Sequence, residues 1–168
     1  VNNKCNLACS YCYFQNKPSE DILLEEDFSK ILPIIKNNQI KLLTFAGKEV
    51  FLPSSQERTL KFMKILSSYD KLKFGVVSNG TNFDDELIKN LKKLKLGFID
   101  ISIDSYDEKI NNITRGNSSY MKCVDTLRKL SSNNIAEGNI YVAVTLTKIN
   151  IESFFEIFNF SKKFKINH

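Results

Sequence analysis

The pattern of apolar residues predicts an α/β protein, a partial (β/α) barrel open on one side and truncated at both ends. Three observations carry this. Short β-type apolar runs alternate with longer helical patterns along the chain. Strands alternating with helices imply right-handed βαβ units and hence a parallel sheet. Polar or glycine-containing segments follow each β-type run, where parallel α/β folds bind ligands.

Taken in order, a helix is expected over 27–37 behind an acidic start, then a strand over 41–45 (KLLTF). A second helix is expected over 55–68, with Ser54 and Glu57 at capping-box spacing. The strand at 73–77 (KFGVV) leads to a helix over 84–95, which opens on two carboxylates, favourable at a helix N-terminus. The strand at 98–103 (FIDISI) is followed by a helix over 119–133. The strand at 140–146 (IYVAVTL) is followed by a helix over 151–163, with Asn150 as its expected cap. Pro18 and Pro53 fall in connections, where a missing N–H does least harm.

Both ends look cut. Val1 stands four residues before the first cysteine, with no room for a leading strand, and 164–166 reads as a strand just beginning. The chain is therefore expected to be one domain, a fragment over 1–168 of a longer protein. A fifth strand is expected before Val1 and a sixth near Phe164.

With 42% hydrophobic and 26% charged residues, the composition is that of a globular domain with its own core. No apolar run reaches the length of a membrane span. No secretory signal opens the chain, so a cytoplasmic protein without a membrane partner is the expectation. The net charge of +5 is mild, with KNLKKLK set against DDEL. Solvated helix faces account for it better than nucleic-acid binding.

The chemistry lies in Cys5-Asn-Leu-Ala-Cys9-Ser-Tyr-Cys12-Tyr13, with three thiols within eight residues. In a cytosolic chain such a cluster points to metal binding or catalysis rather than disulfides. A structural zinc site wants four ligands, and only His168 and Cys123 remain to join, neither at a paired spacing. Thiolates are the usual ligands of iron–sulfur clusters, and three on a four-iron cube leave one iron open to a substrate or cofactor. Iron–sulfur is thus the leading reading, with zinc and buried free thiols as alternatives. Cys123, beside Met121 and Val124 in a helical pattern, reads as a core residue.

C-x3-C-x2-C with an aromatic residue before the third cysteine resembles the signature of the radical S-adenosylmethionine superfamily. The form CNLACSYCY is similar to the branch of anaerobic sulfatase maturases and SPASM-type peptide maturases. The resemblance runs from Cys5 to about Asn150. It implies a radical S-adenosylmethionine core domain, with a 4Fe–4S cluster on Cys5, Cys9 and Cys12 and S-adenosylmethionine at the open iron. The implied reaction is reductive cleavage to a 5′-deoxyadenosyl radical, which abstracts hydrogen from substrate. The implied partners are a peptide or protein substrate and an electron donor of flavodoxin or ferredoxin type. A small-molecule substrate and a degenerate, non-catalytic iron–sulfur protein are the alternatives.

Further residues follow from the same resemblance. Gly47-Lys48-Glu49 matches the GGE motif that holds the methionine amino group, with Gly47 allowing close approach and Glu49 pairing with the ammonium. Lys48 departs from the pattern and adds a charge, although its long side chain is expected to reach water. Ser78 and Asn79, in SNGT, are expected at the ribose or methionine part. Ser102 and Asp104 are two apart, so they share one face of a strand; Ser102 is expected on the cofactor and Asp104 toward ribose or substrate. Arg115, in Thr114-Arg115-Gly116, is expected to bind the cofactor carboxylate. Tyr13 is the better candidate, over Tyr11, to pack on adenine. Thr145 and Thr147 are further candidates for the pocket wall.

Overall fold

The computed structural model describes residues 3–14, 24–37, 40–116, 118–164 and 166. Among these the elements run α1 (Glu25–Asn37), β1 (Leu42–Phe45), α2 (Gln56–Leu66), β2 (Lys73–Ser78), α3 (Asp85–Lys92) and β3 (Leu96–Ser102). They continue through α4 (Glu108–Arg115), α5 (Ser119–Ser132), β4 (Ile140–Ala143) and α6 (Glu156–Lys162). The four strands form one parallel sheet in the order β1-β2-β3-β4, each new strand adding beside the last. This is the α/β partial barrel that the alternation of patterns predicts.

Period-two alternation sets the two faces of the sheet. Phe74 and Val76 of β2 and Ile99 and Ile101 of β3 are wholly buried. They belong to one core with Phe62, Met63 and Leu66 of α2, Leu87 and Leu91 of α3, and Leu127 and Leu130 of α5. Between them on β2 and β3, Val77, Asp100 and Ser102 are only partly buried and form the opposite wall. The core thus fixes one face of the sheet and leaves the other for function.

Several elements differ from the sequence reading for identifiable reasons. The capping box does not form: α2 has Ser55 at its N-cap without a side-chain cap bond. The Ser55 hydroxyl instead donates to the carbonyls of Val50 and Leu52 at 3.1 and 3.3 Å. β4 stops at Ala143, because two residues later the Thr145 N–H donates to the Asp104 carboxylate, 3.0 Å away. Asn150 caps nothing with its side chain; its amide donates to the carbonyls of Asp104 and Thr145 at 2.8 and 2.9 Å. The expected helix over 151–163 is accordingly a single tight turn at Ile151–Ser153 followed by α6. Helix α4 was not expected, since EKINNITR carries two Asn and three β-branched residues, all weak helix formers. It forms on the Asp107 cap, whose carboxylate accepts from the N–H groups of Lys109 and Ile110 at 2.7 and 3.2 Å.

Near the C-terminus, Phe164 lies in the turn that ends α6 and Ile166 is buried; no strand begins there among the described residues. Pro18, Val1 and His168 lie outside the described residues. Among the described residues, no helix is long and apolar enough to cross a membrane.

Candidate functional site

The cysteine loop lies over the C-terminal ends of the strands. The Glu49 N–H, just past β1, donates to the carbonyl of Lys4 at 3.0 Å. Past β2, the Asn79 amide donates to Asn6 Oδ1 at 2.9 Å and to Cys5 Sγ at 3.6 Å. At the end of α4, the Thr114 carbonyl accepts from the Ser10 N–H at 2.8 Å, and that of Arg115 from the Cys9 thiol at 3.8 Å. Within the loop, the Cys12 N–H closes a turn onto the carbonyl of Cys9 at 3.0 Å.

The three loop thiols open on one cavity of about 690 Å³. Burial pushes the Cys9 thiol above its ordinary range, opposed by the Arg115 guanidinium, while Cys5 and Cys12 are near enough to act on it. Among the described residues no three His, Cys, Asp or Glu side chains converge as a single metal ion requires. A four-iron cube takes each thiolate on a different corner, so its ligands need not meet at one point. The three thiols around one cavity therefore fit such a cluster. Cys123 stands apart: it is fully buried, donates to the carbonyl of Asn79 at 3.1 Å, and is pushed up to about 12 by burial. That makes it an inert core thiol.

The other expected residues divide into those on the cavity wall and those behind it. Gly47, Ser78, Asn79, Ser102 and Arg115 lie on the wall, as does Tyr13, which is 74% exposed and packs against Phe14. Gly47 has φ of 146°, a backbone open to glycine and strained for other residues. The Ser102 hydroxyl makes no side-chain hydrogen bond among the described residues. Lys48 also belongs to the wall and is half-buried. Thr145 lines the cavity, whereas the Thr147 hydroxyl donates to Asn150 at 3.0 Å.

Glu49 and Asp104 lie behind the wall. Glu49 is 1% exposed, and its carboxylate accepts from the Asn79 N–H at 2.7 Å, the Ser78 hydroxyl at 2.8 Å and the Phe51 N–H at 3.0 Å. Burial raises its pKa, and the Asn79 and Phe51 N–H groups, the Ser78 hydroxyl and Arg115 oppose the rise. The Asp104 carboxylate accepts from the Tyr11 hydroxyl at 2.6 Å and the Thr145 N–H at 3.0 Å, and pairs with Arg115 Nη1 at 3.5 Å. Arg115 Nη1 also donates to the Tyr11 hydroxyl at 2.7 Å. For the guanidinium, burial works against the charge, but Asp104, Tyr11, Cys9 and Cys123 more than offset it.

Sequence reasoning missed the Tyr11 hydroxyl, the Asn111 side chain that accepts from the Asp104 N–H at 2.9 Å, and the tie made by Asn150. Tyr11 and Asn150 find their partners 93 and 46 positions away, and Asn111 reaches back seven positions across a turn whose shape the residue types alone do not give.

A second cavity, of about 860 Å³, lies at the opposite end of the strands, against Lys41, Leu72 and Lys73. It holds none of the thiols. In parallel α/β folds the C-terminal ends of the strands carry the chemistry, so the smaller cavity is the candidate site.

Comparison with known proteins agrees with this geometry. The sporulation killing factor maturation protein SkfB of Bacillus subtilis is 27% identical over 153 residues, covering 90% of this chain and 36% of SkfB. The crystal structure of Streptococcus suis SuiB bound to S-adenosylmethionine superposes with a TM-score of 0.80 at 19% identity, over 97% of this chain and 36% of that one. Native anSMEcpe with bound AdoMet and Kp18Cys peptide gives a TM-score of 0.78 at 19% identity, over 98% of this chain and 47% of that one. The chain thus spans less than half the length of these relatives. Residues 1–161 match the model of the Radical SAM superfamily, and the chain belongs to that family.

Proposed function

We propose that the chain is the cofactor-binding core of a radical S-adenosylmethionine enzyme that modifies a peptide. The observation that carries this is the meeting of Cys5, Cys9 and Cys12 with Arg115 on one cavity at the C-terminal ends of a parallel sheet. Together, a 4Fe–4S cluster and S-adenosylmethionine supply a 5′-deoxyadenosyl radical by one-electron cleavage of the S–C5′ bond.

The chain's own residues hold and orient these groups. Cys5, Cys9 and Cys12 ligate the cluster as thiolates. Arg115 meets the carboxylate of the cofactor, since a guanidinium and a carboxylate pair through two parallel bonds. Gly47 lets the backbone approach the ammonium end, Ser78 and Ser102 offer hydroxyls, and Tyr13 offers an aromatic face to adenine. Glu49 and Asp104 act mainly from behind, by holding the ends of β1, β2 and β3 in register, and Asn79 on the wall ties the cysteine loop to the end of β2. A peptide substrate is supported by the maturation role in SkfB's name and by the peptide bound to anSMEcpe. Electrons would come from a flavodoxin- or ferredoxin-type donor.

The test is anaerobic reconstitution of the full-length protein, with iron and sulfide measured, and 5′-deoxyadenosine release followed with dithionite. Cys9→Ala is expected to abolish release and to lower the bound iron by about four per chain relative to the wild type. Stoichiometric zinc in place of that iron, or bound iron unchanged by loss of all three cysteines, would overturn the reading.

Lys48 keeps a second reading in view, that of a degenerate site. A cation on the wall, at contact distance from the cofactor ammonium, repels it by about 1–4 kcal/mol depending on the local dielectric. Under this reading the wild type is silent and Lys48→Gly restores 5′-deoxyadenosine release. An active wild type rejects it.

A further inference from the structure

The cysteine loop and the arginine of the site are joined through a hydroxyl with no part in ligating the cluster. Tyr11 stands between Cys9 and Cys12 in sequence. Its hydroxyl donates to Asp104 Oδ2 at 2.6 Å and accepts from Arg115 Nη1 at 2.7 Å. Asp104 is fixed in turn: its carboxylate accepts from the Thr145 N–H, and its own N–H and carbonyl are held by Asn111 and Asn150. The direct Arg115–Asp104 contact is the looser one, at 3.5 Å. Tyr11 therefore sets where Nη1 sits.

This fixes which edge of the guanidinium is left. Nη1 is committed to Tyr11 and Asp104. Among the described residues Nε is buried without a hydrogen-bond partner; Arg115 is only 6% exposed and lies on the cavity wall. An unpartnered buried N–H is costly, so a partner is expected there. The edge formed by Nε and Nη2 is the fork that a planar carboxylate takes with two parallel bonds.

We propose that Tyr11 is a positioning residue: its hydroxyl holds Arg115 by Nη1 so that the Nε–Nη2 edge faces the carboxylate of the bound cofactor. This rests on the functional reading above. The same bonds tie the orientation of the arginine to the loop that carries the cysteines, so the two attachment points of the cofactor are set as one unit. Without the hydroxyl, Nη1 closes directly onto Asp104 and the fork turns away from the cavity. The ring itself still packs, and the loop keeps its backbone bond from Ser10 to Thr114.

The test compares wild type, Tyr11→Phe, Arg115→Ala and the double variant as reconstituted full-length proteins. Binding of S-adenosylmethionine and of its decarboxylated analogue is measured by equilibrium dialysis. Iron content is determined in parallel. Tyr11→Phe is expected to keep its iron and to bind S-adenosylmethionine about tenfold more weakly, the effect of roughly one hydrogen bond. It should bind the decarboxylated analogue as the wild type does, and its loss should vanish in the Arg115→Ala background. Asp104→Asn, a second way to loosen Nη1, should show the same pattern.

Unchanged affinity in Tyr11→Phe, an equal loss for both ligands, or a loss that adds fully to that of Arg115→Ala would overturn the proposal alone. Loss of iron in Tyr11→Phe would overturn it too, since the hydroxyl would then act on the loop rather than through Arg115. A cluster-loaded wild type that binds no S-adenosylmethionine would instead bring down the functional reading, and this proposal with it.

Discussion

Asp100 is a half-buried carboxylate on the inner wall of β3, opposite Val77 of β2 and Tyr141 of β4. Among the described residues it has no ion-pair or hydrogen-bond partner, and burial raises its pKa. A carboxyl whose pKa is raised by folding takes up protons as the chain folds. Its contribution to stability is therefore best below the ordinary range, near about 4, and falls as pH rises through that range to the folded value. Asp100→Asn should raise the melting temperature at pH 7, and the gain should disappear below about pH 4, where Asp100 is neutral in both states. Melting curves across this range decide it. Glu49 differs, because its burial comes with three donors. Glu49→Ala leaves those donors short of a partner and should destabilise by about 1–3 kcal/mol, measured by chemical denaturation.

Helix α4 shows how one element can serve fold and site together. Its N-terminus rests on Asp107, and its C-terminus presents the Thr114 carbonyl to Ser10 and Arg115 to the cavity. Helix α3 has a comparable cap, with Asp84 accepting from the Leu87 N–H at 2.7 Å, but among the described residues it makes no hydrogen bond to the cysteine loop. Asp107→Ala and Asp84→Ala should each cost about 1 kcal/mol of stability. Only Asp107→Ala should also lower the iron retained after reconstitution, since it frays the helix on which the loop docks. Equal iron in the two variants would show that α4 does not carry the loop.

At the scale of the whole molecule, the site exists because parallel strands bring four chain segments to one rim. Gly80 shows how tightly that rim is packed against the helical layer. Its φ is +74°, and an added Cβ would meet Ile101 Cγ2 at 2.6 Å and Cys123 Sγ at 3.2 Å. Gly80→Ala combines backbone strain with overpacking. It should cost about 1–3 kcal/mol and lower the melting temperature by several degrees. If that loss is absent, the turn after β2 can relax, and the contact between β3 and α5 beneath it is looser than it looks.

The sequence by itself determined what is local and periodic. Alternating apolar runs placed all four strands and five of the helices, and the thiol spacing marked the loop that opens on the cavity. Gly47 was legible for the same reason, since its φ is a property of one residue. Tertiary structure alone decided what the polar side chains do. The sequence pattern places Glu49 and Asp104 at the ligand, and the fold gives their oxygens protein donors; it offers Tyr11 only as the lesser candidate to Tyr13 for the adenine, and the fold has its hydroxyl bridge Asp104 and Arg115. Tyr11 and Arg115 are separated by 104 positions in sequence. A hydrogen bond depends on a partner at close range and in the right direction. When that partner arrives through the packing of strands and helices, no local pattern announces it, and the fold has to supply the answer.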